Sequence, residues 1–489
     1  MHSIAKQDVL DEFAGLILPD KRLVDRVLKF VAAAAMSPSE SLPDMLQDVA
    51  SLEAAYRLLS NERVTPQALH KPHQARTIER TQQASSVVVV HDTSDVQTPW
   101  AEPSEVGYLN TGKAGYRAHL SLALSIEPNR PVQPLGVLSV ETICRPKLSK
   151  AAWKKRPSGG ETARWTDKEY ARWHRGIDTS AQALADCPSV IHVMDREADC
   201  YALFSQIQQL DQGYIVRLRT DRRAKQADDA EDDDLDWSTL GKLATEMKGV
   251  CTREVPLSKR GAKLAPASLK THPPRESRNA LLQFSAMKVE IPKPRYDSDG
   301  PASLTVGFVR VWEPNPPEGE EPVEWLLITN EPCETPDEIV RIVDLYRCRW
   351  VIEEFFKVLK TGCALQERQF ESREALLNLL ALFLPIAVHL LWIRSCARDT
   401  PDAPATDVFT DLQLTVLRQV SHRRMSANPT AKEALWVLAG LGGHIPNNGW
   451  PGWQVLGRAY VKLLDAVKVW ALATAAARRD DRQTVETKM

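Results

Sequence analysis

The sequence predicts an α/β core between two helical segments, and three observations lead to this fold class. Between about residues 76 and 372, short β-branched runs alternate with amphipathic stretches. Residues 1–75 contain no convincing strand, and the chain after residue 372 has helical spacing again. We therefore predict three domains, 1–75, 76–372 and 373–489. The middle domain carries a β-rich insertion over about 222–330, packed beside the main sheet.

The predicted elements of the middle domain follow a definite order. Three strands come first, then a helix, a fourth strand, a helix, a fifth strand, and later a long helix at about 335–360. This is the element order of an RNase H-like α/β fold. The five strand segments are SSVVVVHD (85–92), HLSLALSIE (119–127), PLGVLSVET (134–142), SVIHVMD (189–195) and YIVRLR (214–219).

Composition limits the class of protein without naming a partner. The chain has 489 residues, 43% hydrophobic and 26% charged, and its net charge of −2 does not by itself favour nucleic acid. Eight cysteines without a CxxC pair predict reduced thiols in a cytoplasmic protein, and the N-terminus lacks the pattern of a signal peptide. The apolar run 376–393 is interrupted by Asn378, Pro385 and His389, which favours a buried helix over a membrane span.

Two aspartates follow apolar strands. Asp92 ends VVVVHD and Asp195 ends VIHVMD. Each could simply cap the turn that follows it. As a pair on two strands of one sheet, however, they are rigidly held carboxylates at the edge of a cleft.

A third carboxylate comes from YRCRWVIEEFFKVLK, residues 346–360. At about 100° per residue, Tyr346, Arg349, Glu353 and Lys360 fall within roughly 60° of arc, with Lys357 just beside them. The alternative is an ordinary amphipathic helix with a charged surface face. Three carboxylates suit two Mg²⁺ ions about 3.5–4 Å apart, with Mn²⁺ as a substitute, and such a pair supports phosphodiester hydrolysis and transfer.

These motifs together resemble the bacterial insertion-sequence DDE transposases, a family with a Tyr-Arg-Glu-Lys signature that includes the transposase of a kanamycin-resistance composite transposon. The spacing Y-(2)-R-(3)-E-(6)-K is met from Tyr346 to Lys360, and DREAD begins at Asp195. DTS at 92–94 resembles the family's DTT, with His91 in place of a glutamate. The resemblance extends to AYRLLSN at 55–61 and to the GWPGW segment near the C-terminus.

The resemblance implies a cut-and-paste transposase in which Asp92, Asp195 and Glu353 are catalytic and hold the metal ions. It implies cleavage of transposon ends through a DNA hairpin, followed by joining of 3′-hydroxyl ends to target DNA. The groups that would grip phosphates near the transposon end are Tyr346, Arg349, Lys357 and Lys360.

Further DNA contacts are implied by the same resemblance. Trp325, which stands 21 residues before Tyr346, would stabilise a flipped base, although a core tryptophan on a strand is the alternative. Arg217 and Arg219 match basic positions, or are exposed strand charges. Arg22 and Arg26 match an end-binding helix of the N-terminal domain. The C-terminal helices would form a homodimer on double-stranded DNA, both terminal inverted repeats and target.

A basic stretch offers evidence for DNA contact that does not depend on the resemblance. Between Arg145 and Arg175 there are ten Lys or Arg against three Asp or Glu, with Trp153, Trp165 and Trp173 interleaved. A solvated basic face explains the pattern nearly as well. Two other functions remain open, a structure-selective nuclease with the same fold and a non-enzymatic DNA-binding inhibitor of transposition.

Overall fold

The computed structural model describes residues 6–127, 132–146, 170–227, 237–257, 274–295, 300–446 and 449–486. The acidic run DDAEDDDLD (228–236), whose composition predicts a solvated loop rather than a site, lies outside the described residues. Trp153 and Trp165 of the basic stretch also lie outside them.

The N-terminal segment folds into helices, as predicted. The bounds of these helices are α1 Lys6–Asp11, α2 Lys21–Met36, α3 Leu42–Leu46, α4 Val49–Leu59 and α5 Pro66–Thr81. The side chains of Asp20, Ser41, Asp48 and Thr65 cap the N-termini of α2 to α5 by accepting main-chain N–H groups. Helix α2 buries one apolar face, so its charged residues point outward.

The five predicted strands form one half of a mixed sheet in the order β3-β2-β1-β4-β5. Strand β1 runs antiparallel to β2 and parallel to β4, and β4 runs parallel to β5. Because Val90 pairs with Val193, the residues two positions further along each strand lie at the same sheet edge. The bounds are β1 Val87–Gln97, β2 Gly115–Ser125, β3 Gln133–Ile143, β4 Val190–Met194 and β5 Gly213–Arg217.

Three helices accompany these strands. The short α6 (Pro103–Val106) follows β1, α7 (Ala171–Ala183) precedes β4, and α8 (Tyr201–Gln209) connects β4 to β5. Helix α7 packs against β2 and β3 with its Trp173 fully buried.

The β-rich insertion continues the same sheet. Strand β11 pairs antiparallel with β5, Leu327 lying opposite Arg217, and β10 and β9 follow in turn. The described strands of the insertion therefore extend the main sheet edge to edge. Its elements are β6 Arg223–Gln226, β7 Ser238–Thr239, α9 Leu240–Glu246, β8 Cys251–Leu257, β9 Arg278–Pro292, β10 Ser303–Trp312 and β11 Glu324–Thr329.

The long helix predicted over 335–360 is two helices and a π-turn. Helix α10 (Pro336–Arg347) begins with a capping box between Thr335 and Glu338, and α11 (Trp350–Lys357) begins after a short break. A single π-turn, Val358–Gly362, follows directly. The prediction of one continuous helix is wrong at both places, and π-turns are frequent at functional sites.

The C-terminal segment is helical, with bounds α12 Arg373–Asp399, α13 Asp411–Val420, α14 Ala431–Leu441 and α15 Trp453–Glu486. By length and composition α12 could cross a membrane, but 89% of its apolar window is buried inside the protein, as expected of a core helix. Asn378 donates from Nδ2 to the carbonyl oxygens of Leu59 and Val64, which satisfies the buried amide nitrogen within the apolar run. One hydrophobic core runs through all three predicted segments.

Candidate active site at the edge of the sheet

The carboxylates of Asp92 and Asp195 are each oriented by a main-chain amide. The N–H of Thr93 donates to Oδ1 of Asp92 at 2.7 Å, and the N–H of Glu197 donates to Oδ1 of Asp195 at 2.8 Å. Asp195 also caps the single 3₁₀ turn Arg196–Ala198. Asp195 therefore both caps this turn and holds its carboxylate at the edge of the sheet.

Glu353 reaches the same cleft from α11, and Arg349 stands between it and β1. Nη2 of Arg349 donates to Oε1 of Glu353 at 2.6 Å, while Nη1 lies 3.6 Å from Oδ2 of Asp92. The Arg349 side chain is only 11% exposed, so these interactions are little screened by water. One buried guanidinium thus connects the helix acid with the first strand acid.

The acids carry more negative charge than Arg349 balances. Burial and the nearby charge of Asp195 raise the pKa of Asp92 from 3.8 to about 7, although Arg349 and the Thr93 amide oppose the rise. Burial also raises the pKa of Asp195. A strongly raised carboxyl pKa in a cleft is typical of a functional site, because the fold leaves charge for a ligand to neutralise.

The donor chemistry fits a hard divalent cation, although the donors are not assembled around one point. Asp92, Asp195 and Glu353 offer only carboxylate oxygens, which Mg²⁺ and Mn²⁺ prefer. Among the residues that the structure describes, no three His, Cys, Asp or Glu side chains lie close enough together to hold one ion. The contacts of Arg349 with Asp92 and Glu353 occupy the space between those two acids.

Tyr346 and its neighbours form the wall of the cleft on the β5 side. The Tyr346 side chain is buried, and its ring meets that of Trp325 edge-on at 5.7 Å between centroids. It hydrogen-bonds to Arg349 and Arg217, and both cations oppose the rise in its pKa that burial causes. Arg217 is half-buried at the end of β5, so the alternative of an exposed strand charge is wrong for this residue.

Lys360 closes the other side of the cleft. It lies in the π-turn, and its Nζ donates to Oγ of Ser94 at 2.7 Å, two residues beyond Asp92. Burial lowers the pKa of Lys360, although Asp92 and Asp95 oppose this shift.

Other predicted contacts do not meet in the cleft. Lys357 is exposed and donates to Glu354 on another face of α11, at 2.6 Å. Arg219 is exposed beyond the end of β5. Arg22 and Arg26 lie on the outward face of α2. The sequence analysis assumed one regular helix and therefore placed Lys357 just beside Lys360. The π-turn that follows α11 changes the helical spacing between these two lysines.

Most of the described residues of the basic stretch face inward, but the side chain of Arg175 is 55% exposed. Trp173 is fully buried, Arg172 is 3% exposed, and Arg145 donates to Asn110. Arg175 forms an ion pair with Glu141. The interpretation of Arg172 and Trp173 as part of a DNA-facing patch is therefore wrong, and sequence reasoning missed that Arg172 contacts Thr93 and Glu197, which lie close to the two strand aspartates.

His91 lies on the face of β1 opposite Asp92. Its Nε2 is 2.8 Å from Nδ1 of His192, and its Nδ1 is 2.9 Å from Oγ of Ser121, all buried. Burial holds the pKa of both histidines well below the ordinary value, so they are neutral. They form a hydrogen-bonded layer beneath the acids, which no local sequence pattern predicts.

The order β3-β2-β1-β4-β5, with Asp92 within β1, Asp195 directly after β4 and a third acid on a helix, defines an RNase H-like protein. Residues 174–386 match the family model described as a transposase DDE domain, and residues 7–64 match the one described as transposase DNA-binding. The chain thus contains both domains, and together they support a DNA transposase of the insertion-sequence DDE class. The DDE match includes Asp195 and Glu353, while Asp92 precedes it and joins them through the pairing of β1 with β4.

Proposed function

We propose that this protein is a cut-and-paste DNA transposase in which Asp92, Asp195 and Glu353 carry the reaction. The observation on which this rests is that Arg349 joins Asp92 and Glu353 in one cleft, while Asp195, which follows the strand paired with β1, is close enough for its charge to raise the pKa of Asp92. The matches to a transposase DNA-binding domain and a DDE domain support a DNA substrate and this class of chemistry.

Two Mg²⁺ ions, or Mn²⁺ in their place, are proposed as the cofactors, and DDE domains typically bind divalent metals. When bound, they would activate the attacking hydroxyl and stabilise the leaving oxygen. Asp92, Asp195 and Glu353 would hold them. Burial, together with the charge of Asp195, raises the pKa of Asp92, and this supports the assignment because a bound cation would offset the cost of ionising the carboxyl. To bind a metal ion, Glu353 would give up part of its contact with Arg349.

The basic and aromatic residues around the acids would hold the DNA end. Arg349 and Lys360 are cations at the cleft, suited to phosphate oxygens, and Arg217 and Tyr346 extend this surface along β5. Trp325 is half-buried beside Tyr346, close enough to stack on a flipped base. Lys357 and Arg219, which lie outside the cleft, would contact phosphates further along the DNA.

Binding of the terminal inverted repeats would begin at the N-terminal domain. Arg22 and Arg26 project from α2 into solvent within the transposase DNA-binding match. A homodimer through the C-terminal helices is supported by the exposed Val469 and Trp470 on α15, with 67% and 40% of their surface accessible. Each subunit would then cut the end that its partner holds.

The proposed reaction runs from hydrolysis to transfer at the same three acids. Water first cleaves one strand at the element's end and frees a 3′ hydroxyl. This hydroxyl attacks the phosphodiester of the opposite strand at the element's end, so that the flanking DNA leaves through its 3′ oxygen and the element's end closes as a hairpin. Water then opens the hairpin to give a blunt end. The 3′ hydroxyl then attacks a target phosphodiester, and a target 3′ oxygen leaves.

The test is a Mg²⁺-dependent cleavage and joining assay with DNA carrying the inverted repeats that flank the coding sequence. We expect the ends to be released through a hairpin and joined to a plasmid, and Glu353→Ala to abolish both steps. Glu105→Ala, at an exposed position on α6, is the matched control and should act like wild type. Nicking without joining would indicate a structure-selective nuclease, and a gel shift without cleavage would indicate a DNA-binding inhibitor.

A further inference from the structure

Arg172, on the first turn of α7, bridges the two chain segments that follow the strand aspartates. Its Nε donates to Oγ1 of Thr93 at 2.9 Å, and its Nη2 donates to Oε2 of Glu197 at 2.7 Å. The side chain is only 4% exposed. Thr93 follows Asp92 directly, and Glu197 stands two residues after Asp195.

The two residues that Arg172 holds by their side chains are the same two that orient the aspartates by their main chains. The N–H of Thr93 donates to Asp92, and the N–H of Glu197 donates to Asp195. A shift of either segment would therefore turn the corresponding carboxylate. Because both segments bond to one rigid guanidinium, the separation of the two aspartates depends on Arg172.

Neighbouring side chains restrain this bridge further. Oγ1 of Thr93 is also 2.9 Å from Nδ1 of His119 on β2. Glu197 lies 3.6 Å from Nη2 of Arg117, which pairs with Asp95 through its Nε at 3.3 Å. The Thr93 end of the bridge is thus held from β2 as well as from α7.

We propose that Arg172 is a positioning residue that sets the spacing of Asp92 and Asp195 for a pair of divalent cations. It contacts neither aspartate directly and acts through Thr93 and Glu197. The inference rests on the proposed function. Outer groups of this kind typically change metal affinity or activity by about 10- to 100-fold when removed, because they fix the direction in which the ligands point.

A purely structural arginine would give a different experimental result. Its removal would lower the unfolding temperature but leave the metal affinity of the folded protein unchanged. The test therefore measures Mn²⁺ binding to the full chain by calorimetry, well below the unfolding temperature. It also measures the Mg²⁺ concentration for half-maximal cleavage, and binding of the DNA ends in EDTA by gel shift.

Arg172→Gln should weaken Mn²⁺ binding at least about 10-fold and raise the Mg²⁺ requirement by a similar factor, with DNA binding unchanged. Arg172→Lys, which can make one of the two contacts, should lie between Arg172→Gln and wild type. Arg175→Gln is the matched control, since Arg175 lies on the same helix and pairs only with Glu141 among the ion pairs found for it. It should retain wild-type affinity for Mn²⁺.

Wild-type Mn²⁺ affinity and Mg²⁺ dependence in folded Arg172→Gln would overturn the inference. Should that variant fail to fold, Thr93→Val and Glu197→Gln each weaken one end of the bridge, and wild-type affinity in both would overturn it equally. A wild-type chain that binds no Mn²⁺ and leaves the DNA ends intact contradicts the proposed function itself, which distinguishes the two failures.

Discussion

Two buried acidic sites in this protein are built in opposite ways. Glu12, at the end of α1, is 2% exposed and accepts hydrogen bonds from Nδ1 of His73 at 2.6 Å and from Arg80, with Nε2 of His389 3.6 Å away. Burial lowers the pKa of His73 to about 3, so the ring is neutral, and its Nε2 accepts the Val137 N–H.

The acids at the sheet edge, Asp92, Asp195 and Glu353, are less fully compensated by neighbouring cations than Glu12 is. Asp92 and Asp195 stand on neighbouring strands, and Arg349 is shared between Asp92 and Glu353. A buried carboxylate with a matching cation is part of the fold's stability, whereas a crowded group of carboxylates with a raised pKa is costly unless a ligand binds. The Glu12 site therefore contributes to the packing of the helices, whereas the raised pKa at the sheet-edge acids is typical of a site that binds a ligand.

The largest expected effect comes from neutralising one sheet-edge acid. Asp92→Asn should lower DNA cleavage at least about 10³-fold, which corresponds to about 4 kcal/mol of transition-state stabilisation. The thermal stability of the metal-free protein should stay equal or rise, because a crowded negative charge is removed. Cleavage kinetics and thermal unfolding in EDTA measure the two effects. Asp186→Asn, on an exposed loop, is the control, and retained cleavage by Asp92→Asn would refute the assignment.

The pH dependence of the free energy of unfolding should reflect the raised pKa of Asp92. The pKa of Asp92 is raised from 3.8 to about 7, so between these values the folded chain holds a proton that the unfolded chain has lost. The free energy of unfolding of the metal-free protein should therefore fall as the pH rises from about 4 to about 7, by up to about 4 kcal/mol from this group. Urea unfolding across this range, in wild type and Asp92→Asn, isolates the contribution. Equal slopes in the two proteins would contradict it.

Glu12→Gln should affect stability and spare catalysis. Removal of one charged partner from a buried pair leaves Arg80 uncompensated, at a cost of about 3 kcal/mol. Glu53→Gln, which breaks an exposed pair with Arg57, should change the free energy of unfolding by less than about 1 kcal/mol. Urea unfolding gives both values. If cleavage by folded Glu12→Gln fell as far as in Asp92→Asn, the contrast between the two sites would fail.

The smallest effect on stability should come from removing one contact to Glu354, the neighbour of Glu353 on α11. Glu354 is compensated by Lys357, Arg394 and the Nε1–H of Trp453, which donates at 3.0 Å, and its pKa is lowered. Trp453→Phe removes that hydrogen bond and part of the buried ring over which Arg394 lies, and should cost at least about 1 kcal/mol of stability. Trp470→Phe, at an exposed position on the same helix, should be neutral in thermal unfolding. An equal loss in both variants would show that the bond to Glu354 is not the cause.

Much of the site could be predicted because local pattern determines which face of an element is buried. The apolar runs before Asp92 and Asp195 predicted two strands that carry acids, and helical spacing associated Tyr346, Arg349, Glu353 and Lys360. The predicted end of the first strand at Asp92 is wrong, because β1 continues to Gln97. All four lie at or beside the cleft, although the helix is broken. The burial of α12 followed from the polar residues that interrupt its apolar run.

The sequence by itself therefore predicted the strand segments, the helical flanks and the three candidate acids, since these depend on patterns within a few residues. Only the tertiary structure decided which distant groups meet. The contact of Arg172 with Thr93 spans 79 residues of chain, and that of Lys360 with Ser94 spans 266. Such contacts depend on how whole elements pack, and a basic residue has the same local pattern whether it faces DNA or, like Arg172, is buried behind the acids.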